Sequence, residues 1–222
     1  MSDRKVLSYH DIVLRESDVE LLKGPAWLND LVIEFYFEYL SREVFDNAED
    51  FAFLGGSVAY LIAGGSPQDL VEMLKPLKLP DKKFIFIPVN NNPDVGEVGG
   101  SHWSLLVLDR ERWDFCHFDS LQGVNASQAR GLAMKVATLA DVDPPFGYIE
   151  VPDAPQQANG HDCGLYVLAV GEAICSAHFR GKRRNEDFAK ELRKISPDRV
   201  EKLRQVILGI VMAKSREQQR TQ

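Results

Sequence analysis

Within the stretch "QQANGHDCGLYVLAV" (156–170), Cys163 can form a covalent bond and stands directly after His161 and Asp162, which can carry a proton. The cysteine stands where polar, glycine-containing sequence becomes an apolar run of helical character. A thiol attacks a carbonyl as the thiolate, so a nucleophilic cysteine needs a helix N-terminus, a neighbouring imidazolium, or both. The predicted helix starts at Asp162 or Cys163, where unsatisfied backbone N–H groups converge, and Gly164 leaves room for a substrate backbone to approach. Three readings of Cys163 compete: nucleophile, metal ligand and small core residue. The core reading fits Cys175 better, because it lies mid-helix, and Cys116 falls inside a predicted strand. No CxxC or HxxxH spacing accompanies these residues, so a zinc site is not expected.

A base has to come from elsewhere in the chain. His102 opens "HWSLLVLD" and Asp119 stands near the end of "WDFCHFDS", two strands joined by the hairpin-like "LDRERWDF". In an antiparallel pair the start of one strand faces the end of the next, so this histidine and this carboxylate meet. The pair then supplies a general base and the group that orients it. His117 shares a strand with Asp119 but sits in its middle, and His161 is too close in sequence to Cys163 to face it across a tight turn; both are weaker candidates. Gln157, six residues before Cys163, is a candidate oxyanion donor together with the Cys163 backbone N–H, and reads equally as a surface-loop glutamine. Asp162 reads equally as a helix N-cap.

The elements that must position these groups follow from periodicity and punctuation. "WLNDLVIEFYFEYLSREVF" (27–45) is a largely buried helix starting near Asn29 or Asp30. "SPQDLVEMLKPL" has Ser66 as N-cap, Pro67 in first helical position and Pro76 as its stop, and "SPDRVEKLRQVILGIVMAKSR" repeats that start at Ser196. Strands are predicted at 83–90, 102–109, 113–120 and 147–151, with helices after the third and fourth. That order gives an α+β fold with a mixed central sheet flanked by helices, read as a single domain over 1–222. The glycine-rich loop at 90–101 leads into His102 and reads as a lid or a plain connection. The basic stretch "GKRRNEDFAKELRK" reads as a solvated helical face or a docking patch.

Composition bounds the function. With 45% hydrophobic and 27% charged residues, the 222-residue chain is long enough for a sizeable core. A net charge of -7 argues against a nucleic-acid partner. The first residues lack the apolar core of a signal peptide and no stretch is apolar enough to span a membrane, so an intracellular protein is expected, cytoplasmic or nuclear. Three cysteines, an odd number without framework spacing, fit a reducing compartment.

"QANGHDCG", with "GSHWS" and "HFDS" upstream, resembles the ubiquitin-like-protein-specific cysteine proteases of the Ulp/SENP family, whose catalytic order is His, Asp, Cys. The resemblance implies His102 as base, Asp119 as its orienting group, Cys163 as nucleophile and Gln157 in the oxyanion hole. It also implies that Trp27, from the family's "WLND" element, and Trp103 form a narrow aromatic tunnel that admits an extended Gly-Gly segment, unless they are core residues. Asp30 either pairs with a basic residue near the modifier's C-terminus or starts the helix. The resemblance covers the chain from about Val6 to the last helix. The chain's shortness and the opening "VLSYHDIVLRESDVELLKGPAWLND" resemble the small neddylation-specific deneddylases. The implied partner is a ubiquitin-like modifier ending in Gly-Gly with its protein conjugates, such as cullins, acted on by a monomer without metal or organic cofactor. A SUMO-directed protease, an acetyltransferase on the same fold and an inactive modifier-binding module are the alternatives.

Overall fold

The computed structural model describes residues 3–46, 49–92, 99–181 and 185–220. The chain opens with β1 (Lys5–Tyr9) and β2 (Ile12–Arg15), an antiparallel hairpin turned at His10, whose φ is 51°. Alternation buries Leu7, Tyr9, Ile12 and Leu14 on one face. A short α1 (Glu16–Glu20) leads to α2 (Asp30–Tyr39), where Asn29 caps the first turn by accepting from the Val32 N–H at 3.0 Å. The helix then widens into a π turn over Leu40–Val44.

The main sheet holds β3 (Phe51–Phe53), β4 (Phe84–Asn90), β5 (Trp103–Asp109), β6 (Asp114–Phe118) and β7 (Gly147–Glu150), side by side in that order. Its two edge pairings are parallel and its two inner ones antiparallel. This is the mixed central sheet of an α+β fold. Helices α3 (Gly56–Gly64), α4 (Pro67–Leu74) and α5 (Ala126–Leu139) cover one face, where Ile85, Ile87, Leu106, Leu108 and Phe115 pack. The other face carries Phe86, Leu105, Val107 and Phe118 against α2, the long α6 (Cys163–Phe179) and α8 (Pro197–Arg220). Strands buried on both faces are apolar throughout, which is why β4 and β5 read as continuous hydrophobic runs.

The fold adds elements that periodicity had not separated. β3 is three residues long, α3 is bracketed by glycines, α7 (Asn185–Leu192) lies inside the basic stretch, and the extended opening folds as its own hairpin. That hairpin is tied to α8: Ser215 Oγ donates to Val6 O at 2.7 Å, and Gln218 both donates to and accepts from the Ser8 backbone. Residues 93–98 of the glycine-rich loop and 182–184 of the basic stretch lie outside the described residues. Among the described residues no helix is long and apolar enough to cross a membrane.

Candidate active site

Two strand ends and one helix start converge. β5 and β6 pair antiparallel with Leu105 opposite Phe118, so the residues before β5 and after β6 are neighbours. His102 Nε2 lies 2.6 Å from Asp119 Oδ1, with the two residues only 2% and 4% exposed. Asp119 is further held by backbone: Leu121 N–H donates to Oδ1 at 2.8 Å and Asn125 N–H to Oδ2 at 2.9 Å. Burial pushes the Asp119 carboxyl up, but these bonds, His102 first, outweigh it and hold its pKa below the usual value.

Burial likewise pulls the His102 imidazole down, yet the hydrogen bond to Asp119 and the adjacent Cys163 thiol outweigh it, and the pKa is pushed up to about 9. The remaining ring nitrogen, Nδ1, is buried with no partner of good hydrogen-bond geometry among the described residues. The Cys163 thiol acts on the same ring, second to Asp119, through hydrogen bonding and charge. Cys163 is the first residue of α6 and is 2% exposed, at the end of the helix where the dipole favours negative charge. Burial raises the other two thiols, Cys175 well above its ordinary pKa and Cys116 to about 11.

A cleft of about 580 Å³ opens over these groups, lined by Trp27, Asp30, Tyr60, His102, Trp103 and Cys163 among others. Trp27 is half exposed and its indole N–H donates to Gly160 O, which ties the segment before α2 to the loop before α6. Trp103 is buried, its N–H donating to Leu28 O at 3.0 Å. Asp30 is packed against the start of α3: a Cβ on Gly56 would stand 2.7 Å from the Asp30 Cβ, so only glycine permits this approach, which brings Tyr60 to the cleft.

Gln157 comes from the other side. Its backbone N–H donates to Ser120 O at 3.1 Å, and its Oε1 accepts from Ser120 Oγ at 2.7 Å. Its Nε2 donates to Asn159 O at 2.6 Å, which leaves one of the two amide hydrogens uncommitted. Ser120 and Cys163 line one small cavity together.

Other residues marked by the sequence turn to partners of their own. Gly164 packs on the segment before α2: a Cβ there would stand 3.0 Å from Cβ of Leu28, which lines the cleft. Asp162 occupies the N-cap position without capping; its carboxylate accepts from Arg204 Nη2 at 2.7 Å and Asn159 Nδ2 at 2.7 Å. His117 lies on the sheet face covered by α5, opposite α6, and His161 is directed at Asp162, 3.8 Å away. Two residues escaped the sequence reading. Arg204, on the buried stripe of α8 with Val200, Leu203 and Ile207, donates to Leu21 O and Ala26 O as well as Asp162, binding the Trp27 segment to the residue before Cys163. A cation on an otherwise apolar helical stripe was the signal for it. Asn125, at the N-cap of α5, gave none. Among the described residues no group of three or more His, Cys, Asp or Glu side chains is placed to hold a metal ion.

With this geometry in view, residues 26–207 match the model of the Ulp1 protease family, C-terminal catalytic domain. The chain belongs to that family and is a cysteine-type peptidase. It is 39% identical over 213 residues to NEDD8-specific protease 1 of Arabidopsis thaliana, covering 94% of this chain and 93% of the relative. It is 39% identical over 181 residues to sentrin-specific protease 8 of Homo sapiens, covering 80% and 84%. A solved structure of the SUMO protease Ulp1, its catalytic cysteine oxidized to a sulfinic acid, shares the fold with a TM-score of 0.72 at 21% identity, over 97% of this chain and 90% of that one.

Proposed function

We propose that this protease cleaves after the C-terminal diglycine of a NEDD8-type modifier, releasing it from protein lysines and trimming its precursor. The observation that carries the reading is the buried His102–Asp119 pair at 2.6 Å, with a free ring nitrogen beside a cysteine at a helix start. The relatives named as NEDD8-specific and sentrin-specific proteases support the choice of substrate class.

In this account the Cys163 proton rests on His102, whose raised pKa favours the imidazolium, and the thiolate so formed attacks the terminal glycine carbonyl. The uncommitted Gln157 N–H and the Cys163 backbone N–H hold the developing oxyanion. The imidazolium returns its proton to the leaving amine as the C–N bond breaks, and water then hydrolyses the thioester to free the enzyme. Asp119, kept ionised, stabilises the imidazolium and fixes its orientation. Trp27 and Trp103 line the cleft and select an extended segment without side chains, while Asp30 takes a basic residue upstream of it. The partners are the modifier and its conjugates, cullins among them. The chain acts as a monomeric single domain over 1–222 in an intracellular compartment, which its free thiols suit.

The test is a parallel reaction with C-terminal electrophile probes of NEDD8, SUMO and ubiquitin, read as adduct mass. Labelling by NEDD8 alone, lost in Cys163→Ala, is expected. Labelling by SUMO moves the specificity, and no labelling by any of the three overturns the reading.

A further inference from the structure

A second histidine–carboxylate pair, with a buried histidine and a partly exposed carboxylate, begins two residues before Asp119. His117 is wholly buried, with Nδ1 2.6 Å from Glu150 Oε2 on β7 and Nε2 2.8 Å from Ser104 Oγ on β5. It lies across the sheet from α6, so the thiol is out of its reach. What it does touch leads back to the site. Asn125 Nδ2 shares its two hydrogens among Ser104 Oγ at 3.0 Å, Val89 O at 3.0 Å and His102 O at 3.3 Å, while the Asn125 backbone N–H donates to Asp119 Oδ2 at 2.9 Å. One asparagine therefore holds both members of the candidate base pair, the histidine by its carbonyl and the aspartate by its carboxylate.

The hydrogens assign the direction. In the tautomer with the His117 proton on Nδ1, Ser104 Oγ accepts from Asn125 and turns its one hydrogen to His117 Nε2. His117 then carries its own proton on Nδ1 and donates it to Glu150, whose other oxygen accepts from Tyr148 Oη at 2.6 Å. The Arg130 guanidinium of α5 lies 4.2 Å over the Tyr148 ring, and the Asp119 carboxylate also acts on that tyrosine, so Glu150, Asp119 and Arg130 are charged groups that surround the His117–Glu150–Tyr148 cluster. Asn125 Oδ1 is buried without a hydrogen-bond partner among the described residues. A buried amide costs free energy when half satisfied, so its orientation is imposed by what its nitrogen must hold.

Resting on the proposed protease reading, we propose that His117 is a positioning residue: through Ser104 and Asn125 it sets where the His102–Asp119 pair stands relative to Cys163. A chain of three side chains, anchored at Glu150 on the edge strand, thereby acts on the base from the opposite face of the sheet.

The test compares His117→Phe and His117→Gln with the native enzyme on a diglycine-ended modifier substrate, with active sites counted by an electrophile probe of that modifier. Failure of the native enzyme to react would sink the protease reading and is read first. If it reacts, His117→Phe is expected to lower kcat per active site about ten- to a hundredfold with KM unchanged, the scale on which supporting hydrogen-bond partners act. Its pH–rate profile should shift as the His102 environment loosens. His117→Gln, whose amide can donate to Glu150 and accept from Ser104, should recover most of the rate. Should His117→Phe fail to fold, Glu150→Gln is the second variant, since that side chain is 39% exposed; kcat should fall about two- to threefold, with a pH shift in the same direction. Native kcat and a native pH profile per active site in the folded variants would overturn the proposal, leaving His117 a stabilising residue only.

Discussion

The two histidine–carboxylate pairs, His102–Asp119 across β5 and β6 and His117–Glu150 across β6 and β7, have the same 2.6 Å separation, yet they differ in what is left over. His117 spends both ring nitrogens on protein partners. His102 spends one, and its other nitrogen stands buried beside a thiol. Asp119 is pinned by two backbone N–H groups, whereas Glu150 is held by a tyrosine hydroxyl at the sheet edge. A pair alone does not make a base; an unspent nitrogen facing a nucleophile does.

That contrast can be broken by mutation. Cys163→Ala should abolish turnover while leaving modifier binding intact, measured by calorimetry alongside the assay, and an active variant would remove Cys163 from the chemistry. Asp119→Asn should lower kcat on the order of 10³–10⁴ by loosening and discharging the imidazole's partner. Glu150→Gln, the same change in the other pair, should cost only the two- to threefold given above. Equal losses would erase the distinction between the pairs. Gln157→Ala should lower kcat by about 10²–10³ with little change in KM if its free N–H meets the oxyanion; an unchanged rate would return it to a loop role. The smallest effect should be at Trp27→Ala. Because the ring is half exposed, the fold should survive, and hydrolysis of substrates ending in Ala-Gly should rise relative to Gly-Gly. Unchanged selectivity would discard the tunnel.

Legibility in the sequence followed how local the cause was. Ser196 starts α8 as its motif requires, accepting from the Arg199 N–H at 3.3 Å. Ser66 stands at the N-cap of α4 but turns its hydroxyl to Gln68, and Asp162 and Asn125 stand at N-caps with their side chains spent on distant groups. For Ser66 and Asp162 residue type and position were readable and the partner was not; for Asp162 and Asn125 a partner comes from another element. The meeting of His102 with Asp119 was readable because a hairpin is a local structure with one register. The packing of Gly164 was not readable for the opposite reason: only the tertiary placement of α6 reveals that Leu28 fills the space beside it. β3 escaped because three residues carry too little periodicity, and the role of Arg204 because it joins segments some 180 residues apart in sequence.

The most direct test is an NMR titration of the His102 ring in the native protein and in Asp119→Asn. Raised from an ordinary 6.5 to about 9, this imidazole stays protonated through neutral pH in the folded state. The stability its proton contributes is complete below about pH 6.5 and is lost as pH rises through about 9. The account predicts a native midpoint well above 6.5 that falls when Asp119 is replaced. A native midpoint at or below 6.5, unmoved by that replacement, would contradict it.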